Sequence, residues 1–210
     1  MWVPALASAL VHPAPKPGSC KPSHFAACVQ VDVNAARRSD TMNNPHIRPA
    51  RVEDAAVIAA GEHEVARAPG LLIARPGEIP ESAFRKTIAA LAAGSDGRYL
   101  VAERDGEVVG HLLLEPLALA ARAHVCTLTV VVYPGCQGQG IGRALLAKAL
   151  DWARSHPRIK KIELTVRADN ARALDLYRTF GFVQEGLLRR RVQGSDGVCR
   201  DDIAMALFVD

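Results

Sequence analysis

The residues with the clearest chemical potential lie between Thr129 and Arg143, in the run TVVVYPGCQGQGIGR. A β-branched segment, Val130, Val131 and Val132, breaks at Tyr133-Pro134-Gly135 and gives way to Gln137, Gly138, Gln139, Gly140, Ile141 and Gly142. A helical repeat of Ala144, Leu145, Leu146, Ala149 and Leu150 follows. Strand, glycine loop and helix N-terminus in that order make an anion site, because loop amides and the positive end of the helix dipole converge on one place. Glycine at 138, 140 and 142 lets the backbone approach a ligand without a Cβ and tolerates positive φ. Arg143 adds a cation.

Loops of this kind differ in which phosphate they hold. A Walker loop requires Gly-Lys-Ser/Thr at its end, and here Arg143-Ala144 follows Gly142, so no lysine is available for β- and γ-phosphates. A dinucleotide fingerprint requires Gly-x-Gly-x-x-Gly, whereas the third glycine here comes one residue early, and a meander precedes the loop.

The elements that would position this loop are those of a mixed α/β domain over residues 45–210. A short strand at His46-Ile47-Arg48-Pro49 is confined by its proline to an edge or an end. A helix from about Arg51 to Ala66 has Val52, Ala55, Ala56, Ile58 and Ala59 as its apolar face. Residues 68–80, rich in proline and glycine, form a long loop suited to shaping a binding pocket. A second helix, Glu81 to Ala93, carries Phe84, Ile88 and Leu91 and stops at Gly94. Arg98–Glu103 and Glu107–Leu114 form a hairpin about an Asp105-Gly106 turn. The strand entering the loop begins near His124. After the loop helix, Lys161–Arg167 alternates as a half-exposed strand, and Asp169 or Asn170 caps a helix through Ala173, Leu174, Leu176, Tyr177 and Phe180. Phe182–Arg191 and Asp202–Leu207 close the chain as an antiparallel hairpin. Residues 1–44, with five prolines and no periodicity, are expected to be a disordered extension or an upstream start, with Met42 as the functional first residue.

Composition narrows the function classes. Of 210 residues, 49% are hydrophobic and 23% charged, as in a soluble globular domain, and the net charge of +4 suits an anionic small ligand but is too scattered for nucleic acid. Arg189-Arg190-Arg191 reads as a solvated or substrate-facing cluster. No apolar run is long enough for a membrane span of ~20 residues. Five cysteines without metal-type spacing read as reduced thiols, which places the protein in the cytoplasm, and Cys136 has no visible activating base.

Two motifs, Val130-x-Val132-x-Pro134 with Gln137-x-x-Gly140-x-Gly142, and Asn170-x-x-Ala173-x-x-Leu176-Tyr177-x-x-x-Gly181-Phe182, resemble those of the GNAT N-acetyltransferase superfamily. The resemblance covers about 46–210. It implies a mostly antiparallel central sheet with one splayed strand pair, flanked by helices, and acetyl-CoA as co-substrate without a metal. It also implies that Val130, Val131 and Val132 face the pantetheine arm and that Gln137 to Arg143 chelate the pyrophosphate. Asn170 and Ala173 would complete the cofactor site. Tyr177 would protonate the departing thiolate and a strand N–H near Val132 would meet the oxyanion. Many relatives place a base on the strand before the loop, where Thr127 stands here. His124, Glu115 and Glu163 are the remaining base candidates. The expected partners are acetyl-CoA and a primary amine, on a small molecule or protein N-terminus; a homodimer is left open, and a CoA-binding sensor without turnover is the alternative.

Overall fold

The computed structural model describes residues 44–67, 77–94, 96–194 and 196–209. The expected extension at 1–44, apart from its last residue, and most of the expected loop at 68–80 lie outside them. Among the described residues seven strands form one sheet: β1 (His46–Pro49), β2 (Arg98–Arg104), β3 (Glu107–Pro116), β4 (Val125–Val132), β5 (Lys161–Arg167), β6 (Val183–Gln193) and β7 (Cys199–Phe208). Their order is β1-β2-β3-β4-β5-β7-β6. All neighbours are antiparallel except β4 and β5. Pro49 sits on the edge strand, as a residue without an N–H must.

Among the described residues four α-helices cover the sheet: α1 (Ala55–Ala66), α2 (Glu81–Ala92), α3 (Ile141–Ser155) and α4 (Ala171–Thr179). A 3₁₀ turn at Val52–Asp54 leads into α1. Along α1 the buried positions are Ala55, Ile58, Ala59, Gly61, Glu62 and Val65, while Ala56 faces solvent. The helical period carries the face from Ala59 to Glu62 and so puts a carboxylate inside, which hydrophobicity alone does not foretell. Helices α1 and α2 pack through Ala55, Ile58, Phe84 and Ile88 onto Tyr99, Val101 and Leu113. Helix α3 lays Leu145, Leu146, Ala149 and Leu150 on the opposite face, against Leu112, Leu114, Val130 and Val132. Burial of a leucine side chain of this kind contributes ~1.5–3 kcal/mol. The helix stops where Pro157 forces its predecessor, His156, out of the α region to φ −91, ψ 121.

Strands β4 and β5 pair over only three positions, Val125↔Lys161, Cys126↔Ile162 and Thr127↔Glu163. Meanwhile β3 stays with β4 as far as Val132, and β7 stays with β5 as far as Arg167. The sheet therefore divides into two wings joined at a narrow vertex, with the split opening toward the carboxyl ends of both strands.

Candidate active site

The glycine loop lies at the mouth of the split. Gly135, Gly138 and Gly140 have φ of 78, 83 and 80, so the residue type is demanded by the backbone. A Cβ on Gly140 would meet nothing within 4 Å. It would project into open space, where a ligand belongs. Gly140 is the N-cap of α3 and offers no capping side chain. The first helical bond runs from Ala144 N–H to Gly140 O at 2.9 Å, leaving the amides of Ile141, Gly142 and Arg143 without intrahelical acceptors. With Val132, Gly138, Arg172 and Leu176 these residues line a concavity of about 200 Å³. Arg172 was not anticipated. Its guanidinium overhangs Gly138, 2.5 Å from where a Cβ would sit, and only the folded contact between α4 and the loop reveals it.

Alternation along β4 decides which amides face the split. Tyr133 N–H donates to Val109 O, and Val125 O accepts from Leu117 N–H, both at 3.0 Å on the β3 side. Odd-numbered residues of β4 thus bond β3, and the amides of Val130 and Val132 turn toward the split, beyond the last register pair with β5. Val131 belongs to the other set; its backbone serves β3 and its side chain packs with Val65 and Tyr133. Gln137 Nε2 donates to Val132 O at 3.2 Å, so the loop glutamine holds the strand end while Val132 N–H stays directed into the opening. Gln139 braces the loop instead, donating to Gly135 O at 2.9 Å and accepting from Arg104.

Asn170 is the N-cap of α4: its Oδ1 accepts from Ala173 N–H at 3.1 Å. The cap uses only the oxygen. The Asn170 Nδ2 is buried with no hydrogen-bond partner among the described residues, leaving a donor for a ligand carbonyl. Tyr177 is 2% exposed, in the main core, with its ring 5.6 Å from that of Phe182. The helix ends just beyond it, where Gly181 (φ 90) lets Phe182 N–H return to Tyr177 O.

The three base candidates separate clearly in space. His124 is exposed below the vertex, and its carbonyl accepts from Lys160 and Lys161. Glu163 is at the vertex but engaged 2.8 Å from Lys161 Nζ. Glu115 is also at the vertex, in register with Thr127, which donates to its carbonyl at 3.3 Å. It is half-buried, and burial alone raises its pKa. On the same face of the sheet lies a group the sequence did not single out: Glu62, His111, Tyr99 and Tyr133, all buried. Burial, then the charge of Glu62, pushes the phenols of Tyr99 and Tyr133 up, which keeps them protonated donors.

On the far wing, Arg167 and Asp202 form a buried ion pair at 2.5 Å. Burial raises Asp202 despite the opposing charges of Arg167 and Arg191. Beside it β6 bulges. Leu188 pairs with Asp202 and Val192 with Arg200, so Arg189, Arg190 and Arg191 stand opposite Asp201 alone. Arg190 takes φ 51, and its N–H donates to Asp201 Oδ1 at 2.6 Å. The arginine triplet is thus an exposed bulge on the edge strand, two strands from the split and level with the carboxyl-terminal end of β5.

An anion cradle opening onto a split sheet whose strand edge offers amides to an extended arm defines an acyl-CoA-binding transferase. The chain belongs to the acetyltransferase (GNAT) family, whose model matches residues 70–182. It is 38% identical over 119 residues to the N-alpha-acetyltransferase RimI of Mycobacterium tuberculosis, a match covering 56% of this chain and 70% of that protein. It is 36% identical over 89 residues to the L-amino acid N-acetyltransferase AaaT of Escherichia coli, covering 42% of this chain and 55% of that protein. Among solved structures, the fold resembles the GNAT acetyltransferase of Streptococcus pneumoniae (TM-score 0.74, 23% identity, 79% of this chain and 99% of that one). It also resembles yncA of Salmonella typhimurium, solved with acetyl-CoA (TM-score 0.72, 22% identity, 80% and 95%). The protein is an acetyltransferase.

Proposed function

We propose that this protein transfers the acetyl group of acetyl-CoA to a primary amine by direct attack on the thioester, with Glu115 as base and Tyr177 as acid. The observation that carries the reading is the alignment of two features: the amide cradle at Gly138–Arg143 and the open edge of β4 at Val130 and Val132. The cradle receives the pyrophosphate, assisted by Arg143 and Arg172. The strand edge reads the pantetheine amides as it would a neighbouring strand. The amine nitrogen forms its bond to the acetyl carbon as its proton passes to Glu115, whose burial-raised pKa suits it to that role. A split-facing N–H nearer the vertex, on the Glu115 side of the pantetheine amides, supports the carbonyl oxygen as charge develops there. When the carbon–sulfur bond breaks, the electron pair leaves on the thiolate, and the Tyr177 hydroxyl supplies its proton.

The bulge at Arg189, Arg190 and Arg191 favours an acceptor with a carboxylate near its amine, as in an amino acid, over a polyamine. The name of the AaaT relative fits that class. The test is calorimetry with acetyl-CoA, followed by thiol-release assays with neutral amino acids, polyamines and amino-terminal peptides. Turnover greatest on carboxylate-bearing amines is expected. Polyamine preference would remove the role given to the bulge, and CoA binding with no turnover on any amine would favour the sensor.

A further inference from the structure

The α1-covered face of the β1–β4 wing contains a buried polar chain for which the transfer steps above have no use. Glu62 of α1, His111 of β3 and Tyr133, the residue after β4, are 3%, 0% and 9% exposed. His111 Nε2 lies 3.1 Å from Glu62 Oε1, and His111 Nδ1 lies 3.1 Å from the Tyr133 hydroxyl. A neutral imidazole protonated at Nε2 satisfies both contacts: Nε2–H donates to the carboxylate, and the phenol donates to Nδ1. The neighbours are Val65, Val131 and Val108, with the Tyr99 ring 5.7 Å from that of His111. Apolar side chains would fill such a place at less desolvation cost. What the polar chain adds is direction, which dispersion and burial lack.

A second observation is independent of these bonds. A Cβ added to Gly61 would lie 2.3 Å from the Tyr133 ring, so α1 is notched to seat on that ring. Tyr133 directly follows Val132, and His111 is in register with Val131. Notch and hydrogen bonds together fasten the carboxyl-terminal half of α1 to the end of the strand that bears the cofactor edge.

We infer that Glu62, His111 and Tyr133 form a positioning unit that fixes α1, and the acceptor-side wall it begins, against the Val132 end of β4. The inference rests on the acetyl-transfer reading. Its three members touch neither reactant; they hold the two halves of the site at one separation, and a displacement of ~1 Å can cost ~10²-fold in rate.

Tyr133→Phe keeps the ring seated on Gly61 but removes the hydroxyl. Its kcat on the best amine should fall at least tenfold, with acetyl-CoA Kd unchanged within twofold. Hydrogen exchange should quicken together at amides 58–65 and 131–133. Gly61→Ala, which leaves every polar group present but displaces the helix, should give the same split if Tyr133→Phe folds poorly. Unchanged kcat, a CoA affinity loss matching the loss of kcat, or exchange that quickens in only one of the two segments would each overturn the inference. If the wild-type protein acetylates no amine, the transfer reading fails by itself, and coupled exchange still decides whether the two elements are fastened.

Discussion

In the proposed reading the two halves of the site, both carried by the β1–β4 wing, are built from different materials. The cofactor side is made of backbone: positive-φ glycines, uncapped amides at the start of α3, and a strand edge released from pairing. The acceptor side is made of side chains brought from distant elements, with Glu62, Tyr99, His111 and Glu115 gathered from α1, β2 and β3. Backbone recognition is suited to a ligand of constant structure, such as a pyrophosphate and a diamide arm. Side-chain recognition can change one residue at a time, which suits the half that selects among amines.

Substitutions can separate the two halves. The largest effect is expected from Gly140→Val, which combines an unfavourable φ of 80 with a side chain in the space open to the ligand. Acetyl-CoA binding should vanish in calorimetry, and normal affinity would refute the cradle. Tyr177→Phe should lower kcat by ~10²-fold or more while leaving acetyl-CoA Kd within about twofold; parallel losses would make the tyrosine structural. Glu115→Gln should cost ~10²-fold in kcat/KM for the amine and flatten the acid limb of its pH profile. Because burial raises this carboxyl, the wild-type rate should start to fall at a pH above the ordinary glutamate value of ~4.3. The stability sign is the reverse of that for a salt-bridged acid. The stability that Glu115 contributes is present below its unfolded pKa and lost as pH rises through the folded one, so Glu115→Gln should slightly stabilise the fold at neutral pH. The smallest effect belongs to Arg172→Ala, which should weaken acetyl-CoA roughly tenfold, the value of one charge-assisted contact, without altering kcat at saturation.

How much of this was legible in the sequence follows the same division. The strand–loop–helix run and the Asn170 cap could be read because glycine spacing, proline positions and local capping act over a few residues. The strand Lys161–Arg167 was readable for its alternation, and Asp105-Gly106 for its turn, where both residues do take positive φ. Glu62 escaped notice because a glutamate at a helical core position is indistinguishable from a surface one until β3 supplies His111. Arg172 escaped because it acts through the contact of α4 with a loop more than thirty residues earlier. Arg189–Arg191 looked like ordinary strand; the bulge arises from register with β7, to which Asp201 contributes the bond that holds Arg190. The split itself is a matter of where pairing stops, and strand propensity does not say where.

The vertex has a thermodynamic corollary. Only three residue pairs join the wings across β4 and β5, so an arm lying in the split acts as mortar between two half-sheets. Acetyl-CoA at a hundred times its Kd should stabilise the protein by ~2.7 kcal/mol through mass action alone. For a domain of this size that is a rise in Tm of roughly 5–10 °C. The amides of Val130 and Val132 on one side and of Thr165 and Arg167 on the other, which alternation turns toward the split, should be those whose opening slows most, turning the cofactor from a reactant into a temporary eighth strand.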